Sequence, residues 1–491
     1  MDTLYPIFAI PLIGTIVLVV WPFRKLEDRV KAKQWTLAIS ILTFIESIRL
    51  WIGFDNTTSE FQYQIKVTWI ESFNIAPVFA IDGISLVFIV LTTLLIPICL
   101  LASWESIKIL EKEYLICFLG LEVLLIGVFS VLDLFGFYLL FEGVLIPMFL
   151  IIGVWGARQE KVTAAYYFFF YTLIGSILML LSLFYIYYIS GTTDYQTLLN
   201  IKIDPIAQRW IFMAFFASLA VKIPKFPFHI WLPQAHVEAP VAGSVILAGI
   251  LIKLGSYGFI RFTLPILPEA SVYYTPLVFT LGVLAIIYAS LITLRQTDLK
   301  RIIAYSSVSH MGVVSMAIFT LSVTGIEGSI FLQIAHGLVS SALFIVVTII
   351  YDRHHTRIVK YYRGLAATMP LFATIFLFFT LANIGVPLSC NFVGEFLSLL
   401  ATYEVNTFMG VLASLGMVLS ACYALFLFNR VCFGAMSPYI AESAENRDIN
   451  RREFWVLLPL VVLTLFLGVY PDIVLDPIHQ SVVHILEVVH G

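Results

Sequence analysis

Apolar residues run along this chain in blocks of about twenty, broken by short polar connections, and seldom alternate with polar ones in the two-residue rhythm of a half-buried strand. A helical run of that length matches the ~30 Å hydrocarbon core of a bilayer. Lipid offers backbone N–H and C=O groups no partner, so a spanning chain is helical or a closed barrel, and continuous apolarity selects helices. The runs fall at roughly 4–22, 35–54, 81–103, 114–132, 134–154, 163–190, 208–232, 241–262, 273–294, 301–322, 327–350, 370–402, 408–433 and 454–475. An all-α polytopic membrane protein with about fourteen transmembrane helices is expected.

Charge in the connections tests that count, because one helix too many would invert every later loop. The odd-numbered loops hold Arg24, Lys25, Arg29, Lys31, Lys33, Lys108, Lys112, Arg158, Lys161, Arg295, Lys300, Arg301, Arg353, Arg357, Lys360, Arg363, Arg447, Arg451 and Arg452. The even loops and the tail keep only Lys66, Lys202, Arg209 and Arg261. This asymmetry predicts an even number of spans, with both termini opposite a basic face that lines cytoplasm or mitochondrial matrix. The stretch 55–79, where Phe61, Tyr63, Trp69 and Phe73 mix with polar residues, reads as interfacial. The tail from Asp476, with Ile478, Val482, Val483, Ile485 and Leu486, reads the same way.

Composition narrows the class further. Of 491 residues 60% are hydrophobic and 12% charged, and a mean hydropathy of +0.97 excludes a water-soluble domain. A net charge of −3 says little by itself, and no nucleic-acid partner is expected. Without Ser/Gly-rich linkers or low-complexity tracts, 1–491 reads as a single domain. Cys99, Cys117, Cys390, Cys422 and Cys432 stand far apart with no C-x-x-C pair, so they read as packing residues. Met1 to Pro22 shows no cleavage site, so no removable leader is expected.

Charges also appear where lipid should exclude them. Lys222 and Lys253 each stand about twelve residues into their runs, ~18 Å at ~1.5 Å per residue. Glu142 and Glu395 lie deep in the fifth and twelfth runs, and Glu122 in the fourth. Arg49 and Arg430 sit near run ends and can snorkel. One charge at the bilayer centre costs at least ~2.5–3.5 kcal/mol, so several together must be paired, hydrated or used. Structural ion pairs alone would satisfy the same rule, but two histidines repeat the depth: His310 and His336, in the tenth and eleventh runs. Each has a serine four residues away, Ser306 and Ser340, as Lys222 has Ser218, which places each pair on one helix face.

Proline placement points to the same positions, because a mid-helix proline frees the carbonyl four residues back. Pro224 and Pro227 would free those of Ala220 and Ile223 around Lys222, Pro147 that of Gly143 beside Glu142, and Pro387 that of Asn383. Asn383, Pro387, Asn391 and Glu395 recur every fourth residue as a polar stripe. Helices broken at mid-membrane are tolerated against protein or water-filled cavities, where transporters build ion sites. An echo between L-A-V-K-I-P at 219–224 and L-A-N-I-G-V-P at 381–387 hints at a repeated or inverted five-helix unit, 114–262 and 273–433.

These residues sit in blocks that resemble, over almost the whole chain, the antiporter-like chain 4 family of mitochondrial NADH:ubiquinone oxidoreductase (complex I), the M-type subunits of bacteria. The blocks are F-E-G-V-L-I-P-M at 141–148, H-I-W-L-P-Q-A-H-V-E-A-P at 229–240, A-G-S-V-I-L-A-G-I-L-I-K-L-G-S-Y-G at 242–258, A-Y-S-S-V-S-H-M-G at 304–312, H-G-L-V-S-S-A-L-F at 336–344 and N-F-V-G-E-F at 391–396. The resemblance implies an antiporter-like fold with two inverted five-helix repeats and broken helices 7 and 12. It also implies that Glu142, Lys222, Lys253 and Glu395 transfer protons, with His310 and His336 as relay. Glutamate at 395 favours chain 4, since the sister subunits usually carry lysine there. Lys225 departs from the pattern, at a position where the family usually has an uncharged residue; it is expected to snorkel or perturb Lys222.

Desolvation loosens an ammonium's hold on its proton and a nearby carboxylate tightens it, so Glu142 could load or empty Lys222. Protons would then pass through water by way of Lys253, His310 and His336 to Glu395; imidazole suits a relay near neutral pH. The chain has no Gly-rich nucleotide loop, flavin motif or cluster motif. The resemblance implies no cofactor here, with NADH, FMN, iron-sulfur clusters and ubiquinone in other subunits. It implies as partners the other membrane-arm subunits, including sister antiporter-like ones, and the lipid bilayer. Rival readings are an Mrp-type cation/proton antiporter subunit, a membrane-bound hydrogenase or plastid relative, and a structural spacer of the arm. Abundant Phe and Tyr and the lack of a leader favour the mitochondrial inner membrane, with the termini in the intermembrane space and the basic loops in the matrix.

Overall fold

A computed structural model describes residues 4–23, 25–67, 69, 76–441 and 447–490. Met1, Arg24 and Phe73, all drawn on above, lie outside the described residues. Among those described, helices dominate and ten are long and apolar enough to cross a membrane. They are Glu27–Ile52, Gly83–Ala102, Glu111–Ser130, Leu134–Trp155, Lys161–Ser190, Val241–Ile266, Pro268–Arg295, Val323–His354, Thr407–Cys432 and Arg451–Val469. The chain is an all-α polytopic membrane protein.

The difference from the fourteen expected runs has a physical cause. The run at 208–232 is divided into Pro205–Lys222 and Trp231–Glu238, and that at 370–402 into Pro370–Ile384 and Cys390–Val405, so the pieces are short. Leu299–Ile318 carries Lys300, Arg301, His310 and four serines, yet nearly all of it is buried. A helix that faces only other helices need not be apolar enough for lipid. Tyr5–Val20 is apolar but shorter than a full span.

Two boundaries move for related reasons. The second helix, Leu26–Ile52, begins well before its apolar run, so Arg29, Lys31 and Lys33 ride on helix rather than loop; water solvates such residues once a helix leaves the bilayer. In and just beyond the 55–79 stretch, Gln62–Lys66 pairs antiparallel with Val78–Ile81, local structure that the apolar pattern did not show. The tail is a helix, Asp472–His490, that buries Val474, Ile478, Val482, Ile485 and Leu486. Its Ser481 Oγ accepts from the Gly83 N–H at 3.2 Å, tying the tail to the start of the third helix.

Val241–Ile266 and Val323–His354 form the centre, and their most apolar stretches are wholly buried. In the first, π-helical Leu247–Leu251 and Phe259–Thr263 bracket Ile252–Gly258, which carries Lys253. Such wide turns recur at functional positions, because they re-aim side chains and loosen the backbone register. Two glycines set the packing around this centre. A methyl at Gly255 would lie 2.8 Å from the Leu219 carbonyl oxygen, and one at Gly394 would lie 2.6 Å from Leu332 Cα. Backbone therefore touches backbone beside Lys253 and beside Glu395.

Arg261, expected in a loop, is inside Val241–Ile266 and fully buried. Its guanidinium donates to Asp82 Oδ1 at 2.5 Å, and to Ser85 Oγ and Tyr257 Oη at 3.3 Å each. Asp82 also caps Gly83–Ala102 by accepting the Ser85 N–H. Removing one partner of such a pair strands a buried charge. Asp82→Ala is expected to lower stability by roughly 3–5 kcal/mol, read as earlier thermal unfolding in the native membrane assembly; unchanged unfolding would mean that the pair does not hold the third helix to the eighth.

Candidate functional site

Four of the residues predicted from depth alone meet in a continuous row. Lys253 Nζ and His336 Nδ1 share a hydrogen bond at 2.9 Å. The His336 and His310 rings lie 5.6 Å apart between centroids, tilted by 55°. His310 Nδ1 stands 2.9 Å from Glu395 Oε1. Each side chain comes from a different helix: Ile252–Gly258, Val323–His354, Leu299–Ile318 and Cys390–Val405. All four are at most 4% exposed.

The local backbone explains how this row is held. Lys253 Nζ also donates to the Ala248 carbonyl, five residues back in the π-helical turn. One turn further on, Ser256 Oγ donates to Gln333 Oε1 of the His336 helix. The Gly394–Leu332 contact presses the Glu395 helix onto that same helix. His336 Nε2, His310 Nε2 and Glu395 Oε2 are buried without a hydrogen-bond partner. The Lys253–His336 contact works in both directions: an ammonium donates to imidazole nitrogen, and an imidazole N–H donates to a free amine.

Glu142 and Lys222 form a second, separate unit. Lys222 is buried at the last residue of Pro205–Lys222, with Nζ 4.4 Å from the centre of the Phe141 ring. Glu142, next in sequence to Phe141, lies within electrostatic reach of Lys222. Neither has a hydrogen-bond partner. The fifth helix is interrupted right after them, where Leu134–Gly143 gives way to Leu145–Trp155. The close approach of Gly255 to Leu219 and Ile223 brings the Lys253 helix against the end of the Lys222 helix.

Some expected details differ. The Ala220 carbonyl, which Pro224 was expected to free, accepts the Lys225 N–H at 3.1 Å, and the Trp231 indole reaches across the break to the Val221 carbonyl at 2.8 Å. The polar stripe in the twelfth helix is interrupted: Asn383 stands one residue before the end of Pro370–Ile384, Gly385 turns at φ +81, and only Asn391 and Glu395 share the second half. Ser340 Oγ donates to the His336 carbonyl and Ser306 Oγ to that of Ile303. Lys225 does not snorkel: it is buried, with Nζ 5.2–5.9 Å from the ring centres of Phe216, Phe259 and Phe319. Glu122 is fully buried, and neither carboxylate oxygen has a hydrogen-bond partner.

Several buried polar residues at the basic end were missed by sequence reasoning, because they fall at run ends where loops were expected. Arg357, fully buried, donates to the Val237 carbonyl and to Glu238 Oε1 at 3.4 Å, and lies 3.8 Å from Asp298. Its own carbonyl accepts the Leu299 N–H at 2.9 Å. His236, one helical turn before Ala239, is also fully buried. The only signal was the block H-I-W-L-P-Q-A-H-V-E-A-P, whose second histidine and glutamate lie in the buried half-helix. Among the described residues, no group of three or more His, Cys, Asp or Glu side chains is disposed to hold a metal ion.

Residues 131–420 match the family described as NADH:quinone oxidoreductase/Mrp antiporter, TM. The chain is 56% identical over 479 residues to NADH-ubiquinone oxidoreductase chain 4 of Chondrus crispus, covering 98% of this chain and 96% of that one. It is 57% identical over 461 residues to the protein of the same name from Metridium senile, covering 93% of each. A chain of respiratory complex I from Thermus thermophilus with bound NADH superposes with a TM-score of 0.86 at 28% identity, covering 99% of this chain and 100% of that chain.

The row makes a definite energetic prediction. Glu395→Gln and His310→Gln, made singly and together, should show a coupling of about 1–3 kcal/mol in stability, since each removes the other's buried partner. A double-mutant cycle on thermal unfolding measures it; strictly additive losses would mean the two side chains do not interact.

Proposed function

Since the chain belongs to the membrane-subunit family shared by NADH:quinone oxidoreductase and the Mrp antiporters, and within it to the chain 4 group, we propose that it translocates protons across the mitochondrial inner membrane as a subunit of respiratory complex I. Electron transfer from NADH to ubiquinone, carried out in other subunits with FMN and iron-sulfur clusters, supplies the energy. Its neighbours are the other membrane-arm subunits, sister antiporter-like ones among them. In this reading the helices make fourteen crossings, with 114–262 and 273–433 as inverted five-helix repeats inside one domain. The coincidence of the 219–224 and 381–387 echo with the two broken helices supports that arrangement. Both termini then face the intermembrane space and the basic loops the matrix.

The observation that carries the proposal is the row Lys253–His336–His310–Glu395, four titratable side chains from four helices in sequence at hydrogen-bond or ring-contact distance. A structural ion-pair network needs opposite charges side by side; this row places two imidazoles between an amine and a carboxylate. Imidazole can take a proton on one nitrogen and release it from the other, so it passes charge without moving far. Glu142 sets the proton affinity of Lys222: with the carboxylate charged the ammonium is favoured, and with it neutralised the proton leaves. Lys222 then delivers through water to Lys253, and Glu395 hands the proton to the far side.

Lys222→Ala in the assembled complex, reconstituted in sealed vesicles, tests the reading. Loss of a proton-transfer group should slow coupled pumping and NADH oxidation by roughly 10²-fold. Assembly with full coupled pumping would instead make the chain a spacer within the arm.

A further inference from the structure

Ser256 and Gln333 are fully buried and uncharged, and stand beside the row of titratable groups rather than in it. Ser256 lies one turn beyond Lys253 on Ile252–Gly258, and Gln333 one turn before His336 on Val323–His354. Ser256 Oγ donates to Gln333 Oε1, joining the same two helices that the Lys253–His336 contact joins at 2.9 Å. Gln333 Nε2 donates to the Ser329 carbonyl of its own helix at 3.1 Å, which leaves Oε1 to Ser256. Main chain closes the other flank of the Lys253–His336 contact. Gly249 stands four residues before Lys253 and Gly337 directly after His336, and a methyl at Gly337 would lie 3.1 Å from the Gly249 carbonyl oxygen.

An amine and an imidazole do not hold each other as an ion pair does. When one of them carries the proton they share a hydrogen bond; when both do, two donors of like charge face each other and repel. The helix under Lys253 adds little stiffness, because the π-helical turns Leu247–Leu251 and Phe259–Thr263 loosen the register on both sides. The spacing of the pair therefore needs a constraint that does not change with protonation. A hydroxyl and a carboxamide supply one, since neither gains or loses a proton where lysine and histidine do. Packing alone does not explain the choice: an apolar pair would fill the same space, and a buried carboxamide opposes folding unless it is hydrogen-bonded.

We propose that Ser256 and Gln333 are positioning residues for proton exchange between Lys253 and His336, an uncharged clamp that keeps amine and imidazole at transfer distance whichever of them holds the proton. The inference rests on the reading of the row as a proton relay and adds what holds its first step in register. That step is a bare proton transfer: an N–H bond of the Lys253 ammonium breaks, the proton bonds to the Nδ1 lone pair of His336, and no electrons are exchanged. Ser256 Oγ also has the Lys253 carbonyl within reach, at 3.0 Å. One hydroxyl proton cannot serve both acceptors, so loss of the Gln333 amide returns the hydroxyl to its own helix and removes the tie between the two.

The test uses the assembled complex in sealed vesicles, with NADH-driven pumping measured per assembled complex in light and heavy water. Ser256→Ala removes one oxygen, and Gln333→Met keeps the length of the side chain without its amide. Each is expected to slow pumping by roughly 10²-fold, the cost of misplacing reacting groups by about 1 Å, and to raise the solvent isotope effect above that of the wild type as proton transfer becomes limiting. The double variant should be no slower than the slower single one, because both substitutions remove the same hydrogen bond. Wild-type rates in both single variants overturn the clamp, as do slow rates with an unchanged isotope effect, which mark a purely structural loss, or losses that multiply in the double variant. Should Gln333→Met fail to assemble, Ser256→Ala decides alone. Lys253→Met separates the two readings: if it abolishes pumping while Ser256→Ala pumps normally, the clamp falls and the relay stands; if it too pumps normally, the relay falls and the clamp with it.

Discussion

Everything in this protein is arranged around the cost of placing charge in a medium that cannot solvate it. A mid-membrane ammonium or carboxylate must find its stabilisation in the protein, and the structure offers three solutions. Arg261 and Asp82 neutralise each other directly, with Ser85 and Tyr257 taking further hydrogen bonds. Lys225 sits among the rings of Phe216, Phe259 and Phe319, whose faces replace part of its hydration. Lys253, His336, His310 and Glu395 stand in a row linked by hydrogen-bond and ring contacts. The first two arrangements hold a single charge in place; the third is the one on which the proton-transfer proposal rests.

The same constraint explains the interrupted helices. A helix that runs unbroken through the bilayer satisfies its own backbone and leaves nothing for a guest ion or proton. The interruptions after Lys222 and after Gly143 fall beside Lys222 and Glu142 in sequence, and the one at Gly385 is close to Glu395 in space, since a methyl there would lie 2.5 Å from Glu395 Oε2. At the first, the protein recovers much of what the break exposes, through the Lys225 N–H on Ala220 and the Trp231 indole on Val221. Backbone polarity near the lysine is therefore partly consumed by the protein itself.

How much was legible beforehand depended on which property carried the signal. Apolar runs located the helices because lipid imposes a length, and residue depth alone brought Lys253, His310, His336 and Glu395 to one level. Their contacts were not legible, since which helix faces which is decided by packing between distant segments, such as Gly394 against Leu332. Arg261 was misread because a charge near the end of a run looks the same whether it enters a loop or finds Asp82, 179 residues away. That Lys225 is buried rather than snorkelling was not legible because no local pattern shows that Phe216, Phe259 and Phe319, far apart in sequence, converge on it. The polar stripe in the twelfth helix failed because a four-residue period means one face only while the helix continues, and Gly385 ends it.

The glycines at 255 and 394 have a mechanical consequence. Where main chain rests on main chain, no compressible side chain lies between to absorb a displacement, so the spacing of the two helices is set by hard contact. The separation between a donor and its acceptor is then a machined dimension rather than a thermal average. The charged side chains on those helices are therefore held at a spacing that packing leaves little room to change.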